Sequence, residues 1–418
     1  MCHVNTPQKE VDGTKDAFIS YHITTDTDFP SFQTPHLTVR RRFTDFVFLF
    51  KSLSRDYPAC AVPPLPEKHK MEYVRVRGDR FGSDFTARRA YSLDRFLGRL
   101  TLHPQLRRAP LLMIFLESGD WNAHMRLRPQ RGLSVSDPTS GNGAGVLDSF
   151  TDTFLNAFSK VHKPDKRFLE VRDHAEKLED DLGQVEKVIA RVARRQGELE
   201  LDYADLAVQL QKLIPLEPGV EPELHSFSRS VDRTSNGLRT LKESIDQNYL
   251  GSLRDMSAYV QSIKGLLKTR EQKQLDFEAL TDYLAKASSE RDSLASSHGS
   301  SSFSGPGGFL RSKIEDVRGV DHEKSRRERL RKLELRIEVL TREVEEAKRT
   351  TEGFDEEVVK EVADYDRIKA AEFKSCLGGL ADSHKEFYQA TIAEWESFVK
   401  ELENEDQKDR SLATGIAA

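Results

Sequence analysis

Cysteine is scarce. Cys2, Cys60 and Cys376 are the three in 418 residues, too few and too scattered for a disulfide framework or a zinc site, which suits a reducing, cytosolic setting. Long apolar runs are lacking too. No stretch approaches the roughly 18 to 20 residues that cross a bilayer as a helix, and the N-terminus has no basic-then-apolar signal pattern. Hydrophobic residues reach only 37% against 32% charged, so a single compact globule of this length is not expected. Catalytic signatures are missing as well: there is no nucleophile elbow, phosphate-cradling glycine loop, metal-ligand spacing or paired catalytic carboxylates. His103, His162, His174 and His384 stand alone in their segments, and the glycines from Gly305 to Gly308 lack the lysine of a P-loop. No enzymatic role, metal or cofactor is expected.

What the chain does carry is an uneven charge. The net of −5 conceals 18 Lys+Arg against 14 Asp+Glu in residues 1–120, a balance of +4 that leaves −9 for the remainder. The amino-terminal part is therefore where an anionic partner is sought.

Residues 1–118 read as an α+β domain. Strand-like stretches at Ala17 to Thr25 and Leu37 to Phe43 precede a helical pattern in which Phe46, Leu49, Phe50 and Leu53 share one face. Pro63-Pro64-Leu65-Pro66 is neither helix nor central strand, because proline lacks the backbone donor and fixes φ. Ala90 to Leu100 and Leu106 to Leu116 read as two short helices packing on the sheet. From Ser118 to Gly145 the composition turns to Arg, Pro, Ser and Gly, which reads as a flexible linker.

Beyond it the period changes to an all-α pattern. From Phe168 to Leu213 apolar residues recur at alternating spacings of three and four, with Gln196 as the polar exception. Proline and glycine at residues 215–222 and serine and glycine at 296–308 break this pattern into three long helices, and the chain frays from about Asn404. Such helices form a rod whose apolar stripes are too long for one copy to cover, so a second copy or a related chain is expected on the open seam.

The densest basic cluster is Arg40-Arg41-Arg42-Phe43, where a strand gives way to a helix. Side chains alternate along a strand, so Arg40 and Arg42 point one way and Arg41 the other. By spacing alone this is either an anion site, a solvated arginine run or a nucleic-acid patch; the single aromatic among the cations makes no stacking platform, so nucleic acid ranks last.

Arg41-Arg42-Phe43-Thr44-Asp45-Phe46, then Pro63-Pro64-Leu65-Pro66-Glu67-Lys68, then Arg88-Arg89 with Leu93, Phe96 and Leu97, resembles a PX (phox homology) domain over essentially all of residues 1–118. The resemblance implies a phosphatidylinositol 3-phosphate pocket. In it Arg42 grips the 3-phosphate, Phe43 floors the inositol ring, Lys68 reaches the 1-phosphate, and Arg89 takes the 4- and 5-hydroxyls. A planar guanidinium suits the first task and a flexible point charge the third. By the same resemblance Met1 falls within the family's first strand. Between Lys68 and Arg89, Met71, Tyr73, Val74 and Phe81 interleave with arginines, as in a loop dipping into headgroups; the alternative is packing onto the domain.

Residues 146–161, within the 119–164 connection, place Leu147, Phe150, Phe154 and Phe158 on one helical face opposite Asp, Ser, Thr and Asn. This is either a helix inserting aromatics into lipid packing defects or one docking on the rod. Near the third helix start, Arg326, Arg327, Arg329, Arg331 and Lys332 form either a lipid-facing patch or a solvated, salt-bridged face.

With a PX-like domain in front, three long helices over residues 165–404 and a flexible tail at 405–418 resemble a BAR domain, whose antiparallel dimer is a crescent. The pair is similar to the PX-BAR sorting nexins. That kinship implies a peripheral protein of endosomal membranes and the preautophagosomal structure. It would bind phosphatidylinositol 3-phosphate, sense or generate curvature in endosomal recycling and selective autophagy, form a homodimer or a heterodimer with another PX-BAR nexin, and contact autophagy and cargo proteins. The rival reading is a coiled-coil tether or scaffold that uses the PX domain only as an address.

Overall fold

A computed structural model describes residues 1–11, 17–66, 82–127, 165–296 and 322–416. Strands β1 (Cys2–Glu10), β2 (Phe18–Asp26) and β3 (His36–Arg42) form one antiparallel sheet in sequence order. Arg42 pairs across to Ser20 and Arg41 to Tyr21, which fixes the faces of the basic run. Helix α1 (Phe43–Asp56) begins immediately after β3. Asp45 makes that abrupt turn possible by accepting the Arg42 backbone N–H at 2.9 Å, satisfying a donor that the new helix leaves unpaired.

Helices α2 (Ser83–Leu102), α3 (Pro110–Glu117) and α4 (Trp121–Leu127) complete the domain. Pro110 sits in the first turn of α3, where no backbone donor is required. The core is the apolar periodicity read from the sequence: Leu49, Leu53, Leu93, Phe96 and Leu97 are fully buried, and the Phe46 ring meets Phe115 edge-on at 5.0 Å. Two features differ from expectation. Helix α2 starts well before Ala90, since its first turns are too polar to display a period. Trp121, inside the stretch read as linker, is buried in the core and packs edge-on against Phe115 at 5.1 Å. One large aromatic anchors a segment whose average composition conceals it.

The long helices are α5 (Lys166–Leu213), α6 (Glu221–Ser244), a π-helical turn at Ile245–Leu250, α7 (Gly251–Ser296) and α8 (His322–Ile416). The expected frayed tail after Asn404 is helical to Ile416; no proline interrupts it and its residues are mostly good helix formers. The single seam expected on α5 divides between two faces. Leu182 and Ala193 are buried and Ile189 half-buried, whereas Val185, Val192, Leu199, Leu206 and Leu213 stay 39% to 45% exposed.

The chain divides into two compact units. One gathers Met1–Gly141, Asp173–Ile263 and Val362–Ala418, and the other Asn142–Arg172 and Lys264–Glu361. In the first, Ser228 and Ser235 of α6 donate to backbone oxygens of Ala207 and Glu200 on α5, and Ser230 bonds Glu394 of α8. Small hydroxyl residues thus let helices approach closely without leaving buried polar groups unpaired. In the second, Arg270 grips Asp355 with two hydrogen bonds at 2.7 and 2.8 Å and lies 4.2 Å from the Phe168 ring centre.

Candidate anion-binding site

The alternation of β3 sorts its arginines into different roles. Arg41 points inward and is 4% exposed. Its Nε donates to the Phe115 carbonyl at 3.0 Å and its Nη2 to that of Ser118 at 2.5 Å, so it ties off the carboxyl end of α3. The guanidinium also lies 5.3 Å from the Phe115 ring and 5.5 Å from Trp121. Burial pushes its pKa down to about 10, which Asp45 partly opposes. Arg41 is a structural residue.

Arg42 is on the open face, with its side chain 44% exposed. Its Nε donates to Asp45 Oδ1 at 3.2 Å, and its guanidinium lies 5.9 Å from the Phe18 ring. Burial raises the Asp45 pKa, while the hydrogen bonds and charge of Arg42 pull it back. A cavity of about 240 Å³ opens beside Arg42, lined among others by Arg40, Phe18, Glu10 and Trp121. Phe43 and Arg89 are not in its lining.

Phe43 and Arg89 meet on the other side of Arg42's position in the chain. The Arg89 guanidinium sits 4.3 Å from the Phe43 ring centre and 4.4 Å from that of Phe85, one turn before it on α2. Burial lowers the Arg89 pKa, and the neighbouring Tyr21 opposes this. The Tyr21 hydroxyl is itself pushed up by burial against the pull of Arg89. A guanidinium packed over two aromatic rings is restrained by them while its N–H groups remain donors. The sequence reading named Arg42, Phe43 and Arg89, and the fold brings Phe43 and Arg89 into contact next to Arg42. It missed Phe85 and Tyr21, although the four-residue spacing of Phe85 and Arg89 on one helix was a usable signal. Lys68, Met71, Tyr73, Val74, Phe81, Leu147, Phe150, Phe154 and Phe158 lie outside the described residues.

The helix that presents Arg89 also carries a row of cations that the sequence reading did not place. Arg88 pairs with Asp246 in the π-helical turn at 3.3 Å, and Arg95 with Asp255 of α7 at 2.7 Å. Arg99 makes two bonds to Glu372 of α8 at 2.6 and 2.7 Å, to which Ser252 adds a third. Burial would raise the Glu372 pKa, but Arg99 and Ser252 overcome it and leave it lowered. Gly251 leaves room for this arginine: a Cβ on it would lie 2.8 Å from Arg95 Nη2, so any larger residue would displace the guanidinium. Helix α2 and the long helices are thereby joined by ion pairs, of which those of Arg95 and Arg99 are largely desolvated.

In the second unit, Arg327, Arg329, Arg331 and Lys332 are exposed and Arg326 half-buried, and Arg327 bonds Glu323 at 3.0 Å. Among the described residues no helix is long and apolar enough to cross a membrane.

Comparison with known proteins bears on the whole chain. Residues 29–119 match the PX domain family. Sorting nexin-4 of Emericella nidulans is 66% identical over 409 residues, covering 97% of this chain and 83% of that protein. Sorting nexin-4 of Gibberella zeae is 65% identical over 97% of this chain and 86% of its own length, and that of Cryptococcus neoformans 38% identical over 96% and 80%. Among solved structures, the cryo-EM structure of the SNX-BAR Mvp1 tetramer superposes with a TM-score of 0.59 at 15% identity, covering 95% of this chain and 99% of that one.

Proposed function

The chain belongs to the sorting nexin-4 family, membrane-associated sorting proteins with a PX domain and a BAR-like helical domain, and from that premise we propose that it binds phosphatidylinositol 3-phosphate through Arg42, Phe43, Lys68 and Arg89. The observation that carries the reading is Arg89 stacked on Phe43 at the residue following Arg42. In the proposed pose Arg42 exchanges its contact with Asp45 for two charge-assisted bonds to the 3-phosphate. Phe43 underlies the inositol ring, and Arg89, packed over Phe43 and Phe85, donates to the 4- and 5-hydroxyls. Lys68 completes the cage at the 1-phosphate.

The proposed organisation is a PX module over 1–118, a connection over 119–164 with an amphipathic helix at 146–161, a BAR-like domain over 165–404 and a tail. Met71, Tyr73, Val74 and Phe81 would enter the headgroup layer beside the bound lipid. Leu147, Phe150, Phe154 and Phe158 would sense packing defects, and the cations from Arg326 to Lys332 would touch anionic lipid at about 1 kcal/mol each. The chain would act as a dimer, with itself or another PX-BAR nexin, on endosomal and preautophagosomal membranes in recycling and selective autophagy.

Co-sedimentation with liposomes tests the reading. Binding is expected with phosphatidylinositol 3-phosphate and not with phosphatidylinositol alone; equal binding to both contradicts it. The tether reading draws on the −9 balance of residues 121–418, which limits the faces that approach a bilayer. Electron microscopy separates the two, with tubules or preference for small vesicles on one side and clustered spherical liposomes on the other.

A further inference from the structure

We propose that Tyr21 is a positioning residue of the inositide site: its buried hydroxyl is held in reserve for Arg89 and aims the guanidinium when Arg89 engages the inositol hydroxyls. The inference rests on the proposed lipid reading and deepens it, naming a residue that acts through Arg89 without touching the lipid. Its support starts in the sheet. Tyr21 of β2 lies opposite Arg41 of β3, and residues directly opposite in an antiparallel ladder share a face. Both point into the domain, where Tyr21 is 0% exposed in the cluster that also holds Ile23, Phe46 and Leu93. Phenylalanine would fill such a place with no polar atom to satisfy. The Tyr21 hydroxyl instead enters the core and makes no hydrogen bond of ordinary geometry among the described residues. A buried hydroxyl left so is unfavourable, and native folds keep few of them without a reason.

The reason lies beside it. The charged neighbour of this hydroxyl is Arg89, half-buried on α2 with its guanidinium over the rings of Phe43 and Phe85. Arg88 and Arg95 of the same helix have the carboxylates of Asp246 and Asp255 as partners. Arg89 has no carboxylate acting on it among the described residues. Ring contacts restrain a guanidinium, but an acceptor is what aims its N–H groups. The Tyr21 oxygen is the acceptor at hand. Hydrogen bonds that are loose in a ligand-free site commonly tighten in the complex. As the inositol hydroxyls draw the outer N–H groups of Arg89, an inner one donates to Tyr21 Oη, and the fork is held in its binding direction by a group the lipid never meets.

Vesicle binding and thermal melting of the full chain test this with Tyr21→Phe, Arg89→Ala and the double variant. Tyr21→Phe should melt no lower than the wild type, since it deletes a hydroxyl that lacks a partner. It should nevertheless bind phosphatidylinositol 3-phosphate vesicles about tenfold more weakly, as one hydrogen bond to a charged group is lost from the complex. In the Arg89→Ala background the same substitution should change binding by less than about twofold, because the group it aims is gone. A packing role would instead lower the melting temperature and weaken binding alike in both backgrounds. Tyr21→Phe binding as tightly as the wild type, melting below it, or weakening binding equally with Arg89 absent would each overturn the proposal. Failure of the lipid reading looks different. A wild type that binds phosphatidylinositol vesicles equally well, or an undiminished Arg89→Ala, overturns that reading and this proposal with it. A weakened Arg89→Ala beside an undiminished Tyr21→Phe overturns this proposal alone.

Discussion

The Arg89 guanidinium lies over the Phe43 ring at 4.3 Å from its centre and over the Phe85 ring at 4.4 Å. Stacking holds the fork in one plane before any ligand arrives, so little side-chain freedom remains to be lost on binding. Arg89→Lys keeps the charge and loses the plane. Its affinity for phosphatidylinositol 3-phosphate vesicles should fall about tenfold, and Arg89→Ala ten- to hundredfold, as one or two charged hydrogen bonds worth roughly 1.5 to 3 kcal/mol each disappear. Surface plasmon resonance on vesicles reads this directly; a lysine variant as tight as the wild type would remove Arg89 from the site.

Arg41 and Arg42 are neighbours with opposite assignments. Arg41→Met leaves the buried carbonyls of Phe115 and Ser118 without a donor and is expected to destabilise the domain by about 2 to 3 kcal/mol. Arg42→Ala removes one part-buried hydrogen bond to Asp45, which keeps the residue-42 backbone N–H, and should cost about 1 kcal/mol, less than Arg41→Met. Urea unfolding followed by tryptophan fluorescence, for which buried Trp121 is a reporter, distinguishes them. Equal effects would refute the division of roles.

Arg99 and Glu372 bind α2 to α8. Arg99→Ala strands a mostly buried carboxylate and should cost on the order of 3 to 5 kcal/mol. The pH dependence has a definite sign. Glu372 has a lowered folded pKa, so its stabilisation is full above the unfolded carboxylate value near 4.3 and is lost as pH falls through the lower folded value. The gap in melting temperature between wild type and Glu372→Gln should therefore be widest at neutral pH and close in acid. A gap that widens on acidification would contradict the pairing.

Gly353 sits inside α8 with open space where a Cβ would stand. Gly353→Ala should stabilise the chain by about 0.5 to 1 kcal/mol through helix propensity alone. A lower melting temperature would mean that something unseen packs against that position.

Much of this was legible because it is local. Strand alternation alone set Arg41 and Arg42 on opposite faces, burial in the fold decided which face is inside, and the period of Phe46, Leu49 and Leu53 announced α1. The contacts that lock α2 to the long helices were not legible, since Arg88 and Asp246 are 158 residues apart and Arg99 and Glu372 are 273 apart, and either arginine reads as a solvated surface charge in sequence. The π-helical turn beside Asp246 has no sequence mark of its own. On α5 the heptad period was visible but not its division into an inward and an outward face, because both faces are apolar at the same spacing and only burial separates them.

The account stands on the pocket at Arg42. Isothermal titration of the full chain with short-chain phosphatidylinositol 3-phosphate tests it most directly, using Arg42→Ala, verified as folded by its cooperative melting, as the comparison. Saturable one-to-one binding by the wild type that falls ten- to hundredfold or vanishes in the variant is the predicted result. Undiminished binding by Arg42→Ala, or none by the wild type, would contradict it.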